Sequence, residues 1–318
     1  MTEGTAVRFI DRLIQAICEK RTPLIVGLDP HFDLLPPDIR QSVTAALDTR
    51  QGRKQAADAS ADFCCAVLDV LAPLVPAIKP QVAFFEQWGP AGMEALRRVV
   101  DYAQSRQVLV ILDAKRNDIG STAVAYARAW LGSGDQSAFG GDAVTINPWL
   151  GVDSLTPFVE RCAETRTGAF VLVKTSNPGS RDFQNLSGDN SRLYERVADV
   201  VEGLACASLG AYGYGDIGAV VGATYPEELS LLRQRMPHAM FLIPGYGAQG
   251  GVASDLAHAF NPQGLGAIVN SSRGVLFAFR KEGEKSSNGA WQFEVEQAAR
   301  RAIADLVSET PAGNLEPN

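Results

Sequence analysis

Long apolar runs, basic excess, histidine and paired cysteines are all scarce in this 318-residue chain. No stretch reaches the ~18 uninterrupted apolar residues of a membrane-spanning helix. The opening Thr2-Glu3-Gly4 is polar, unlike the charged segment and apolar run of a signal peptide, so neither feature is expected. Lys and Arg number 29 against 36 Asp and Glu, a formal net charge of −7. That balance lacks the basic footprint of a nucleic-acid binder. An acidic protein can still take an anionic small molecule where its few cations converge on one pocket. The five cysteines (Cys18, Cys64, Cys65, Cys162 and Cys206) are odd in number and show no C-x-x-C spacing. A disulfide scaffold is not expected, and a reducing, cytoplasmic setting fits. Only His31, His238 and His258 carry imidazoles, with no H-x-x-x-H pairing, which points away from an imidazole-built metal site. The chain lacks a G-x-x-x-x-G-K-[ST] loop and a G-x-G-x-x-G after its first strand, so nucleotide hydrolysis and dinucleotide binding lose support.

What the chain does contain is an alternation. Short apolar runs predict strands at 24–28, 77–79, 108–112, 143–146, 169–174, 217–221, 241–243 and 267–269. Amphipathic stretches between and after them predict helices at 57–71, 91–104, 119–130, 155–163, 193–207, 226–235, 253–260 and 292–306, with another near 7–19 ahead of the first strand. Runs apolar on both faces imply parallel strands covered by helices. Repeated eight times, the pattern predicts an α/β fold, a (β/α)8 TIM barrel, against an open doubly wound sheet as rival. One domain is expected, with the barrel proper at about residues 22–308. An insertion at 33–53 follows the first strand, a Gly/Asn/Ser-rich loop at 176–190 has the length of an active-site lid, and the tail at 310–318 is expected to fray.

The segment VLVILDAKRNDIGSTAVAYA carries the chemistry. A buried strand runs into Asp113, Lys115 and Asp118, and alternation turns Asp113 and Lys115 to one side. That side lies at the carboxyl end of the strand, where barrel enzymes work. A satisfied ion pair alone would also explain the two residues, and Asp118 suits the N-cap of the following helix. Lys79 and Asp29 end the second and first strands, so charged residues close three successive strands. Lysines among carboxylates stay cationic, which suits a proton donor and argues against Schiff-base chemistry. At the far end, IPGYGAQGG and VNSSRG follow strands seven and eight, where barrels commonly bind phosphate, and Arg273 can add a bidentate contact.

DAKRNDIGST, together with the LD, IKP, PGYGAQGG and SSRG segments, resembles the orotidine 5′-phosphate decarboxylase family from about residue 24 to residue 273. The KTSNPGS segment is similar to the long, second bacterial-type branch. The resemblance implies decarboxylation of orotidine 5′-phosphate to UMP and CO2, the last step of de novo UMP biosynthesis, without cofactor or metal. It implies Lys115 as proton donor in a charged array with Lys79, Asp113 and Asp118. Asp118, Ile119 and Thr122 match residues delivered across a homodimer interface. Asp29 matches a ribose contact, Ser176 a pyrimidine contact, and Gln249 and Arg273 phosphate contacts. Pro244 and Ser272 join the substrate contacts, although Ser272 stands where many members have glycine. The resemblance leaves two rivals: a metal-dependent phosphosugar lyase sharing the D-x-K-x-x-D strand, which looks to carry an acid at the Lys79 position, and a non-catalytic phosphate-ligand sensor.

Overall fold

Short runs of Val, Ile, Leu and Ala with no polar face can only be buried from both sides, and each becomes a strand sheathed by helices. The computed structural model describes residues 7–188, 191–222, 226–246, 252–280 and 291–317. Its strands are β1 (Leu24–Leu28), β2 (Ala77–Pro80), β3 (Leu109–Arg116), β4 (Ala143–Ile146), β5 (Gly168–Lys174), β6 (Ile217–Val221), β7 (Phe241–Ile243) and β8 (Ala267–Ser271). Each pairs in parallel with its neighbours in chain order, and β8 closes on β1. The result is the expected (β/α)8 barrel, not the open sheet. The main helices are α1 (Phe9–Lys20), α2 (Arg50–Leu71), α3 (Pro90–Ser105), α4 (Gly120–Trp130), α5 (Thr156–Thr165), α6 (Leu193–Cys206), α7 (Pro226–Arg235) and α8 (Trp291–Glu309).

Helix α1 closes the amino-terminal end of the barrel. Phe9 packs edge-on against Phe170 of β5, with ring centroids 6.2 Å apart. Asp216, just before β6, accepts from Arg8 at 2.9 Å and from the Ile10 backbone N at 3.1 Å. Asp142, just before β4, accepts from Arg12 at 2.6 Å and from the Val110 backbone N at 2.9 Å. With this end plugged, the carboxyl end is left for a site.

Three expectations change. The insertion after β1 is shorter than its composition suggested, because α2 begins at Arg50 rather than 57: the Thr49 side chain accepts from Gly52 N at 3.0 Å and caps it. Residues 253–259 wind as a 3₁₀ helix, not an α-helix. Ala253, Leu256 and Ala259 are buried at a spacing of three, the period at which a 3₁₀ helix stacks its side chains. The tail does not fray as far as Pro317, the last residue described. Pro311–Asn314 forms a 3₁₀ turn capped by Thr310, Ala312 and Leu315 are buried, and Asn314 donates to Pro262 O at 2.9 Å. Removing residues 311–318 should lower the unfolding free energy by about 2–3 kcal/mol, the scale of re-exposing one leucine and its neighbours. Thermal denaturation of the truncated chain checks this, and an unchanged midpoint would show that the tail adds nothing.

Candidate active site

Strand β3 leaves the core at Asp113 and then breaks its own alternation. Pairing with β4 slips between Leu112 and Arg116, and Lys115 takes φ +49° within that bulge. A non-glycine residue there carries backbone strain on the order of 1–3 kcal/mol. Local bonds offset it: Lys115 N donates to Thr145 Oγ1 at 3.0 Å, and that hydroxyl donates to Asp113 Oδ1 at 2.9 Å. Asp113 and Lys115 do share one space, as expected, but the bulge sets Lys115 there, not a regular strand.

Asp113 is the hub. Its Oδ2 accepts from Lys79 Nζ at 2.6 Å and Gln81 Nε2 at 3.0 Å; its Oδ1 accepts from Lys115 Nζ at 2.5 Å as well as from Thr145. Burial alone would push this carboxyl up, but the Lys79 and Lys115 ammoniums outweigh it and hold the group well below the usual carboxylate range. Burial opposes charge on Lys79 too. The Asp113 and Asp29 carboxylates reverse that and raise its pKa, so Lys79 is an ammonium at neutral pH. Lys79 is buried, whereas the Lys115 side chain is 45% exposed. Gln81 and Thr145 were missed in the sequence. Gln81 follows directly on the IKP segment, a signal that was available; Thr145 sits inside the unremarkable strand AVTI.

Lys79, Asp113, Lys115 and Thr145 line one cavity of ≈ 230 Å³ at the carboxyl ends of β2, β3 and β4. Ser176 and Pro244 line its other side. Gly222 makes room for this wall: a Cβ there would lie 2.9 Å from Ser176 N. The loop that begins at Thr175 is organised rather than featureless. It holds a short helix, Ser180–Gln184, whose Gln184 side chain bonds Thr175 twice, while buried Lys174 donates to Asn185.

The other expected residues that the structure describes do not line this cavity. Asp29 Oδ1 is buried with no hydrogen-bond partner among the described residues. Ser272 has φ −112°, and its Oγ accepts from Asn270 Nδ2 at 3.2 Å. It fits because residue 27 is glycine, where a Cβ would sit 2.0 Å from that hydroxyl. Arg273 is exposed and makes no side-chain hydrogen bond or ion pair among the described residues. Gln249 lies outside the described residues. Asp118 is not the N-cap of α4. The chain stays extended through Ile119, which takes that position, and Asp118 Oδ1 accepts from Ile119 N at 2.8 Å. Among the described residues Asp118 forms no ion pair with Lys115, and Ile119 and Thr122 are exposed.

Residues 22–284 match the Orotidine 5′-phosphate decarboxylase / HUMPS family. The chain belongs to that family. It is 50% identical over 276 residues to an orotidine 5′-phosphate decarboxylase of Rhodopirellula baltica, covering 86% of this chain and 90% of that protein. It is 38% identical over 299 residues to the one of Caldicellulosiruptor bescii, covering 88% and 94%. Among solved structures, the Leishmania donovani OMP decarboxylase matches with a TM-score of 0.72 and 31% identity, over 95% of this chain and 98% of that one.

The buried charges also couple stability to pH. Because the folded Asp113 pKa is depressed, its contribution is fully present above the unfolded value of about 4 and is lost only as pH falls through the lower folded value. Because the folded Lys79 pKa is raised, its contribution is present below about 10.4 and is lost as pH climbs through the higher folded value. Lys79→Met should cost about 3–5 kcal/mol at pH 7, since it strips a buried carboxylate of one partner. Urea denaturation reads this directly; parent-like stability would show that the pair is not coupled.

Proposed function

We propose that this chain converts orotidine 5′-phosphate to UMP and CO2, the last step of de novo UMP biosynthesis, with Lys115 as proton donor and no cofactor. The observation that carries the reading is a buried carboxylate with one ammonium on each oxygen, lining a cavity at the barrel mouth. Loss of CO2 from a pyrimidine ring carbon leaves an electron pair with no π-system to receive it. A cation held beside that carbon stabilises the pair as it forms and then supplies the proton. Lys115 ends as a neutral amine, and solvent returns its proton.

In this reading Asp113 faces the substrate carboxylate. Both its oxygens are already occupied by donors, so it offers negative charge and no proton. Two like charges ~3 Å apart repel by about 5 kcal/mol at an effective dielectric of ~20. Loss of CO2 relieves that repulsion. The unpartnered Asp29 oxygen suits a ribose hydroxyl, which would satisfy it. Ser176 and Pro244 take the pyrimidine end of the cavity, and Gln249, Ser272 and Arg273 take the phosphate.

Asp118, Ile119 and Thr122 act in the partner's site of a homodimer. Supporting this, Asp118 has no ion pair among the described residues, and Ile119, Trp149, Leu150 and Val152 leave apolar surface exposed. Asn117 Nδ2 donates to Ser154 Oγ at 3.1 Å and ties the two loops that carry these residues. Cytoplasmic residence is part of the same reading. No helix among the described residues is long and apolar enough to cross a membrane, and the five cysteines are free.

Lys115→Ala should abolish turnover in an ultraviolet assay of orotidine 5′-phosphate while UMP still binds. Asp118→Asn should be inactive too, and mixed dimers of the two variants should regain activity, because each restores one intact site. Near-parent decarboxylation by Lys115→Ala defeats the donor role; no recovery on mixing defeats the shared site.

A further inference from the structure

At the amino-terminal end of the barrel, opposite Lys115, three side chains of metal-binding type meet. Glu202 and Cys206 stand one turn apart near the end of α6, and His238 sits in the turn that leads into β7. His238 Nδ1 lies 2.5 Å from Glu202 Oε1 and 3.5 Å from Cys206 Sγ. Cys206 Sγ lies 3.3 Å from the same Glu202 oxygen. This is the one group of three or more such residues with ligand atoms within 4.8 Å of one another among the described residues. It was invisible in sequence, because only the fold brings His238 beside Cys206.

We propose that Glu202, Cys206 and His238 form a zinc(II) site with its fourth position open to water. With Zn–S of about 2.3 Å and Zn–N and Zn–O of about 2.0–2.1 Å, tetrahedral ligands stand roughly 3.3–3.6 Å apart. Two of the three edges already have that length. The third, between His238 and Glu202, opens by about 1 Å as one hydrogen bond is exchanged for two coordinate bonds.

The donors are also held in place. Glu202 Oε2 accepts from His238 N at 3.1 Å, which aims its other oxygen at the trio, and His238 O accepts from Gly215 N at 3.0 Å. A thiolate and an imidazole select zinc over magnesium or calcium. Binding displaces the Cys206 thiol proton to solvent and leaves His238 neutral. Cys206 is exposed and the His238 side chain is 42% exposed, so the ion enters without unfolding. Placed here, the metal clamps the end of α6 to the turn before β7 and stabilises the barrel by mass action; it takes no part in decarboxylation.

Chelator-stripped protein titrated with cobalt(II) and then zinc(II) tests this. One cobalt per chain should bind with a thiolate charge-transfer band in the near ultraviolet, and zinc should displace it and raise the thermal midpoint. Cys206→Ser should abolish the band. His238→Gln should weaken zinc more than about tenfold, since even residues outside the coordination shell cost that much. Absence of the band, or equal cobalt binding by Cys206→Ser, overturns the site and leaves His238–Glu202 a plain hydrogen-bonded pair. Decarboxylation by Cys206→Ser stays at the parent value, so this test and that of the proposed activity fail independently.

Discussion

One carboxylate, Asp113, organises the mouth of this barrel. Four donors from three strand ends reach it: Lys79 and Gln81 on one oxygen, Lys115 and Thr145 on the other. A buried carboxylate costs several kcal/mol unless it is paired, and the same pairing keeps Lys79 charged where burial would neutralise it. The strained backbone of Lys115 belongs to the same arrangement, since the hydroxyl that holds its N–H also holds Asp113. Remove the carboxylate, and two ammoniums are left facing each other with nothing between them.

This arrangement separates two electrostatic tasks. Asp113 is saturated and stays ionised near neutral pH, so in the proposed reaction it acts on the substrate as fixed charge. Lys115, less buried than Lys79 and beside the cavity, is the proton donor in the proposed reaction. Lys79 balances the charge from below. Preorganisation of this kind needs no rearrangement when charge develops on the substrate, which is where such sites gain most of their rate. Loops on the far rim, including the one tied down by Gln184 and Lys174, would add binding energy remote from the reacting carbon.

Much of this was legible in the chain because its strands are apolar on both faces and its charged residues stop them abruptly. The eight runs, the helix ahead of β1 and the Lys79–Asp113–Lys115 trio follow from that contrast. What stayed hidden depends on geometry that periodicity does not encode. The bulge at Lys115 depends on Thr145, a threonine no different in sequence from any strand threonine. Asp118 looked like a helix cap, yet the chain runs on extended for one more residue. The polar, Pro-containing tail looked loose, yet two of its few apolar residues, Ala312 and Leu315, find a buried seat. Glu202, Cys206 and His238 meet only because α6 ends beside the turn into β7.

The most direct test of the account is steady-state turnover and UMP affinity in Asp113→Asn, which keeps the shape and removes the charge. Turnover should fall about 10³-fold or more, the equivalent of roughly 4 kcal/mol in the barrier, with UMP binding changed only slightly. Turnover close to that of the parent would contradict it.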